Sequence, residues 1–340
     1  MNSKLPPILE LGAAVIGGGS WGTAFARLLA RAGARTELVC RRQEQARAIN
    51  RAHRNPDYLG GIELPVNLAA STLAGGALAE AALVALAVPS RAFRDVVRAA
   101  APAIAPDAVV LSLVKGLEPV TLKRLSVVLG EELGETAASR VAVLSGPNHA
   151  EEVVADVPTA TTVAAQEEGL ARRLQQLLTT GSFRVYVNND LAGVELCGAV
   201  KNVIALAAGM SDGMGFGDNA KASLITRGLA EMARLGMSLG AAPATFSGLA
   251  GMGDLIATCT SRHSRNRLAG ELIARGRSAA EAEAEIGMVA EGIASAPSVR
   301  ELARHADVEM PITEQVCAVL EGKEARAAVT ELMSRRPNVE

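Results

Sequence analysis

The sequence is poor in aromatic residues: one Trp, two Tyr and five Phe bring aromatic content to only 2% of 340 residues. Single-stranded nucleic acid is held largely by stacking on such rings, so that class of partner lacks its platform. An excess of charge of either sign is also missing. Thirty-four Lys and Arg stand against 36 Asp and Glu, for a formal net charge of −2 and a pI near 6.2. Such a balance supplies no general attraction to nucleic acid or to an anionic membrane, and any basic site must be local. Cys40, Cys197, Cys259 and Cys317 are scattered, with no Cys-x-x-Cys and no His at ligand spacing, so neither a disulfide framework nor a metal site is expected. The longest unbroken apolar runs, such as Ala81–Val88, fall well short of the roughly 20 residues a membrane span needs. Near the N-terminus, Lys4 and two prolines precede a strand-like run that passes directly into a glycine cluster, so no signal peptide is expected. These absences together point to a soluble, cytoplasmic protein.

What the chain has in quantity is apolar surface. At 49% hydrophobic residues it has enough to fill two cores. Short β-branched or apolar runs alternate with helical stretches through the first half, and strands are expected at Leu11–Ile16, Thr36–Cys40, Leu83–Val88, Val109–Val114, Ala142–Ser145, Thr161–Ala164 and Phe183–Val187. That alternation predicts an α/β domain with a largely parallel, doubly wound sheet over residues 1–189. After Asn188-Asn189-Asp190, which reads as a helix cap, long helical segments with Gly-rich turns take over, predicting an all-helical domain over 190–340. The residues after about Met333 read as a frayed tail.

Ala13-Ala14-Val15-Ile16 reads as a buried strand, and Gly17-Gly18-Gly19-Ser20-Trp21-Gly22 follows at once before an Ala/Leu-rich helix. Gly-x-Gly-x-x-Gly between a strand and a helix is the dinucleotide fingerprint. Gly17 permits the tight turn, Gly19 lets the backbone approach a pyrophosphate, and Gly22 lets helix and strand pack closely. Arg41-Arg42, just after the second strand, favours the 2′-phosphate of NADP(H), with NAD(H) still possible; two solvated surface charges are the alternative. Glu37 has the spacing of a ribose carboxylate but sits inside the strand, so it is set aside.

Lys201 shares a helix face with Val194, Cys197, Gly198, Ile204, Ala205 and Ala208. A lysine on an apolar face has its charged form disfavoured, which lowers its pKa toward working pH and makes it a usable proton donor or acceptor. A lysine snorkelling at a domain edge is the other reading. Lys115 follows the strand Val109–Val114, and Ser145-Gly146-Pro147-Asn148-His149-Ala150 follows another. Both are placed at the strand ends where doubly wound sheets bind ligands, although a loop lysine and a simple turn explain them equally. His149 has no partner in the sequence for a dyad and reads as structural. Three glycines before Asp254 bring backbone close to a ligand and set an acid beside it, or merely make a turn. Ser261–Arg267 concentrates three arginines with hydroxyl and amide donors, which suits a phosphate better than it suits a plain solvated face.

Taken together and in order, these segments resemble the bacterial-type NAD(P)-dependent glycerol-3-phosphate dehydrogenases. The likeness runs through Gly19-Ser20-Trp21-Gly22, Asn55-Pro56-Asp57-Tyr58-Leu59, Lys115-Gly116, Ser145-Gly146-Pro147, Val200-Lys201-Asn202-Val203, Gly217–Lys221, Gly251-Met252-Gly253-Asp254-Leu255, Ser264-Arg265-Asn266-Arg267 and Val289-Ala290-Glu291-Gly292. It implies a Rossmann-like first domain, an all-helical second one and an active site between them. The reaction implied is reversible reduction of dihydroxyacetone phosphate to sn-glycerol 3-phosphate, feeding glycerophospholipid synthesis. The resemblance makes Ser20, Trp21, Arg41 and its neighbour Arg42 cofactor contacts, with Ala150, Val289 and Glu291 near the nicotinamide half and Lys115 and Arg265 touching cofactor as well. Lys115, Gly146, Asn148, Ser264, Arg265 and Asn266 become substrate contacts, Lys201 the proton-transfer residue and Asp254 its carboxylate partner. Two positions depart from the family: Asn148 stands where Ser or Thr is usual, and Gly60 where Pro is usual. A homodimer is expected for a soluble enzyme of this size. The competing readings are another two-domain β-hydroxyacid-type reductase, which would not need the Arg265 cluster, and a non-catalytic dinucleotide sensor, which would not need Lys201 with Asp254.

Overall fold

The computed structural model describes residues 12–336. The N-terminal run bearing Lys4, Leu11 of the first expected strand, and the last four residues of the expected tail lie outside them. The chain divides into two compact units. One comprises the described residues up to Val114 together with Leu125–Val194, the other Lys115–Arg124 together with the described residues from Glu195.

The first unit is an eight-stranded sheet in the order β3-β2-β1-β4-β5-β6-β7-β8. Its strands are β1 (Ala13–Ile16), β2 (Thr36–Val39), β3 (Leu68–Ser71), β4 (Leu83–Leu86), β5 (Val109–Ser112), β6 (Val141–Ser145), β7 (Thr159–Ala165) and β8 (Phe183–Asn188). The first six run parallel; β7 pairs antiparallel to β6, and β8 parallel to β7. Helices α1 (Ser20–Arg31), α2 (Gln43–Ala52), α3 (Phe93–Ala100), α4 (Leu125–Leu133), α5 (Ala150–Val154) and α6 (Glu168–Leu178) connect them. Side chains alternate across the pleat, so Ala13 and Val15 join one buried cluster with Phe25 and Leu29, while Ala14 and Ile16 join another with Phe93 and Val97. Both faces are therefore covered, as a doubly wound sheet requires. The sequence pattern misses β3. Leu68-Ala69-Ala70-Ser71 is alanine-rich, with little intrinsic strand preference, and it holds the sheet edge by pairing with β2 and burying Leu68 and Ala70.

Strand order reverses between β1 and β4, and at such a switch point the loops after the two strands part to leave a crevice at their C-terminal ends. The glycine fingerprint is the loop after β1.

The second unit is helical. It contains most of α7 (Leu191–Gly213), then α8 (Asp218–Ser238), α9 (Pro243–Phe246), a π-helical turn at Leu249–Gly253, α10 (Asp254–Thr260), α11 (Arg265–Ala274), α12 (Ala279–Ile286), α13 (Glu291–His305), α14 (Pro311–Leu320) and α15 (Ala325–Ser334). Asp190 caps α7 as the sequence predicts, its Oδ1 accepting from Gly193 N at 2.8 Å. By length and composition α7 could cross a membrane, but 94% of its apolar window is buried inside the protein, which makes it the core helix of this unit. Two glycines let α11 lie directly on it. A Cβ on Gly209 would sit 1.8 Å from Arg267 O, and one on Gly270 would sit 2.0 Å from Leu206 O. That close approach brings Asn266 onto α7 beside Lys201.

Candidate active site

The fingerprint loop is built as an anion cradle. Gly17 has φ +124°, and a Cβ there would strike Ala87 O at 2.3 Å; a Cβ on Gly22 would strike Gly17 O at 1.8 Å. Only glycine fits either position. At Gly19 the opposite holds, since nothing lies within 4 Å of where its Cβ would be, and the backbone is bare to an incoming group. No side chain caps the N-terminus of α1, whose positive dipole end is suited to an anion. Two buried amides that sequence reasoning left unassigned hold the loop in shape. Gln45 Nε2 and Asn55 Nδ2 donate to Gly18 O at 2.8 and 3.0 Å, and Asn55 also donates to Thr23 Oγ1 at 2.7 Å. Asn55 belongs to the Asn55–Leu59 motif, which was the one signal that could have found it.

The arginine pair after β2 separates. Arg42 is ion-paired with Asp57, whereas Arg41 is exposed and has no ion-pair partner among the described residues. Trp21 stacks obliquely on Phe25 and packs with Ala150 and Val154 against Leu59 and Ile62. After β6, Gly146 lies against Thr161 of β7, where a Cβ would meet the Thr161 hydroxyl at 2.8 Å. Asn148 is buried and donates to that same hydroxyl at 3.2 Å, so the unusual Asn is held by β7. His149 stands at the N-cap of α5.

In the second unit four side chains converge. Lys201, 4% exposed on α7, donates from Nζ to Asp254 Oδ1 at 2.6 Å and to Thr258 Oγ1 at 2.7 Å. The Thr258 hydroxyl in turn donates to Asp254 O at 2.6 Å. Lys115 Nζ lies 2.8 Å from Asp254 Oδ2, a contact with the distance of an ion pair rather than the alignment of a hydrogen bond. Asp254 thus offers one oxygen to each ammonium. It begins α10 directly after the π turn, whose Gly251 sits so close to Phe246 that a Cβ would lie 2.2 Å from its carbonyl oxygen. Close packing at Gly251 therefore helps aim the carboxylate. Sequence reasoning missed Thr258, although Asp254 and Thr258 at i and i+4 share a helix face.

Burial dominates the electrostatics here. It pushes the Lys201 amine down to about 7, against the attraction of Asp254 and with help from the nearby Lys115 charge. Burial alone would raise the Asp254 carboxyl, but the two ammonium groups outweigh it and hold the acid below its ordinary range. Cys259, on the same helix, is pushed up to about 12 by burial and stays a thiol.

The basic segment divides by role. Ser264 is buried and caps α11, its Oγ accepting from Arg267 N at 3.2 Å. Arg267 is consumed by structure, pairing with Asp212 at 2.8 Å and Glu271 at 3.2 Å. Arg265, at the first position of α11, is exposed and unpaired among the described residues. Asn266 uses both ends of its amide, donating to Asn202 Oδ1 at 2.9 Å and accepting from Gly292 N at 2.8 Å, so it ties α7, α11 and α13 together. Glu291 opens α13, and Val289 lies two residues before it, half-buried. Among the described residues no group of three or more His, Cys, Asp or Glu could hold a metal ion.

A glycine fingerprint loop at a sheet switch point and a buried amine able to give and take a proton are features that suit a dinucleotide-dependent dehydrogenase, and they point to that class. Residues 12–171 match the N-terminal family model of NAD-dependent glycerol-3-phosphate dehydrogenase, and residues 190–331 match its C-terminal model. The glycerol-3-phosphate dehydrogenase [NAD(P)+] of Streptomyces coelicolor is 52% identical over 324 residues, covering 95% of this chain and 96% of that protein. Its counterpart from Salinibacter ruber is 49% identical over 322 residues, 94% of each. The crystal structure of glycerol-3-phosphate dehydrogenase from Coxiella burnetii superposes with a TM-score of 0.91 at 39% identity, covering 96% of this chain and 100% of that one. The chain belongs to the NAD-dependent glycerol-3-phosphate dehydrogenase family and is an oxidoreductase.

Proposed function

We propose that the chain reduces dihydroxyacetone phosphate to sn-glycerol 3-phosphate, reversibly, with Lys201 as proton donor and acceptor and NADPH as the better cofactor. The observation that carries this reading is the Lys201 amine, buried between Asp254 and Thr258 and held near pH 7. A group so poised can give a proton in one direction and take it back in the other.

Gly17, Gly19, Ser20, Trp21 and Gly22 would hold the dinucleotide, which supplies the hydride when bound. Arg41 would meet the 2′-phosphate with a charge-assisted bond that its exposed and unpaired guanidinium leaves available. Ala150, Val289 and Glu291 would contact the nicotinamide half. Arg265 would take the substrate phosphate, assisted by Ser264 and Asn266 near the start of α11 and by Lys115, Gly146 and Asn148. As the C2 oxygen gains negative charge, the Lys201 ammonium stabilises it and transfers its proton; Asp254 orients that ammonium and keeps it charged enough to act. Lys115 adds positive potential.

We further infer a homodimer. The second unit carries an apolar cavity of about 1140 Å³ lined by Met210, Met214, Ile312 and Val316, apart from the candidate active-site residues, with exposed Met237 and Met333 at its wall. Light scattering measures that state directly. Four buried cysteines, none of them in a disulfide, suit a reducing cytoplasm, and the product suits supply of glycerophospholipids. Loss of reduced-nicotinamide absorbance on adding dihydroxyacetone phosphate tests the activity; no loss with either cofactor would refute it.

A further inference from the structure

Lys115 reaches Asp254 from an unusual piece of chain. Residues 115–124 follow a stretch of the sheet unit and precede another, yet they pack with the helical unit. They form a small hairpin closed by an antiparallel bridge between Leu117 and Arg124, with Glu118 N donating to Lys123 O and Leu122 N to Glu118 O, both at 3.0 Å. Its turn is not a comfortable one. Val120 has φ +72° and Leu122 φ +59°, left-handed conformations that strain a non-glycine residue and persist only where surrounding contacts impose them.

Thr121 Oγ1 donates to Glu118 within the turn, and polar contacts from α7 hold both ends of the hairpin. Arg124 Nη1 lies 2.8 Å from Glu195 Oε2, whose side chain is only 4% exposed. At the other end of the hairpin Asn202 Nδ2 donates to Lys115 O at 3.4 Å. Glu195 and Asn202 are seven residues apart, hence on one face of α7 and about 10.5 Å apart along its axis. The same helix carries Lys201. One rigid element therefore sets the position of the proton-handling amine and of both ends of the segment bearing the second amine. A buried ion pair adds little net stability, because desolvation offsets its attraction, but its geometry is directional where an apolar contact such as that of Leu117 is not.

We propose that the Arg124–Glu195 pair is a positioning clamp that holds the 115–124 hairpin along α7 so that the Lys115 ammonium stays on Asp254. The proposal rests on the reading of Lys115, Asp254 and Lys201 as the proton-handling site. Without the clamp the strained turn relaxes, Lys115 withdraws, and Lys201 loses the neighbouring positive charge that depresses its proton affinity.

The test is the pH dependence of kcat/KM for reduction of dihydroxyacetone phosphate by the full-length enzyme. Wild type is compared with Lys115→Gln, Arg124→Gln, Arg124→Lys and the double variant Arg124→Gln/Glu195→Gln. The double variant removes the buried Glu195 charge together with its Arg124 partner, and a thermal melt establishes that each protein is folded. Lys115→Gln is expected to move the inflection near pH 7 upward. Arg124→Gln and the double variant should move it in the same direction and raise KM by at least about tenfold, the loss of one charge-assisted contact, with a smaller effect on kcat. Adding Lys115→Gln to the double variant should shift the inflection no further, and Arg124→Lys should restore most of the wild-type profile. A folded double variant with the wild-type profile, beside a Lys115→Gln that shifts, overturns the clamp. If Lys115→Gln itself leaves the profile unmoved, the site reading fails, and the clamp falls with it.

Discussion

The Lys201 ammonium and the Asp254 carboxylate, 53 positions apart in the chain, meet at 2.6 Å with their side chains only 5% and 2% exposed. Each controls the other's charge. Burial drives the amine toward its neutral form and the carboxylate restrains it, so the site holds a proton that it can also release.

That balance gives the activity a definite pH dependence. With Lys201 as the proposed proton donor, ketone reduction would consume its ammonium form, whose pKa is lowered from 10.5 to about 7, so kcat/KM for reduction should fall as pH rises through about 7. Oxidation of the alcohol needs the free amine and should rise through the same region. Asp254→Asn removes an attraction that raises the Lys201 pKa, and its inflection should move to lower pH. An inflection that stays in place would show that the pair is not coupled.

Truncation of Lys201 to alanine should spare folding and dinucleotide affinity, because the fingerprint loop belongs to the other unit. The rate should fall by roughly 10² to 10⁴, the usual value of a general acid, and in kcat as well as kcat/KM because the contact strengthens only as the oxyanion forms. Thr258→Val, which keeps shape but removes one acceptor from Nζ, should lose less than Lys201→Ala. Single-turnover reduction read beside a thermal melt measures both, and near-normal hydride transfer in a folded Lys201→Ala would leave Lys201 a structural lysine.

How much of this was legible depended on how local the cause was. The fingerprint, the Asp190 cap and the alternating β1 residues are set by neighbours within a few positions, and sequence pattern finds them. The arginines of Ser261–Arg267 look alike in sequence. Asp212, 55 residues away, claims Arg267 and leaves Arg265 unpaired, and no local rule foretells that. Asp57 separates Arg42 from Arg41 in the same way. The edge strand β3 was hidden by its alanines, and Gln45 by the distance of 27 residues to the carbonyl it serves. Burial of Lys201 could be read from its helix face, but its partner Thr258 required α10 to be placed against α7.

The split of the arginine pair predicts unequal mutants. Arg41→Ala should weaken NADPH binding by about tenfold or more and leave NADH nearly unchanged, since it removes a charge-assisted contact that only the 2′-phosphate can use. Arg42→Ala, losing an exposed ion pair with Asp57, should change either affinity little. Fluorescence titration of both cofactors decides it; equal losses for NADPH and NADH would refute the assignment to Arg41.

Asn266 should behave as a brace. Asn266→Ala leaves Asn202 Oδ1 and Gly292 N without their partner, at a cost of roughly 1–3 kcal/mol for each group left unpaired in the interior. Urea denaturation of the variant should show a lowered midpoint with an unchanged slope. A variant as stable as wild type would refute the brace.

Arg265 carries the sharpest statement about substrate. Its guanidinium is exposed and has no ion-pair partner among the described residues, whereas Arg267 is spent on Asp212 and Glu271 and Arg262 turns to His263, and it sits at the first position of α11, where the helix dipole also favours an anion. A phosphate there would gain a forked charge-assisted contact that a hydroxyl cannot reproduce. Dihydroxyacetone without its phosphate should therefore react with kcat/KM lower by several orders of magnitude, because contacts remote from the carbonyl also position it for reduction. Arg265→Ala should act selectively, cutting kcat/KM for the phosphorylated ketone by about 10² or more and leaving the slow rate with the unphosphorylated one almost unchanged. Comparing both ketones in both proteins closes a double-mutant cycle between the guanidinium and the phosphate. If the two ketones suffer equally from the substitution, Arg265 does not read the phosphate, and that role passes to another donor of the proposed site.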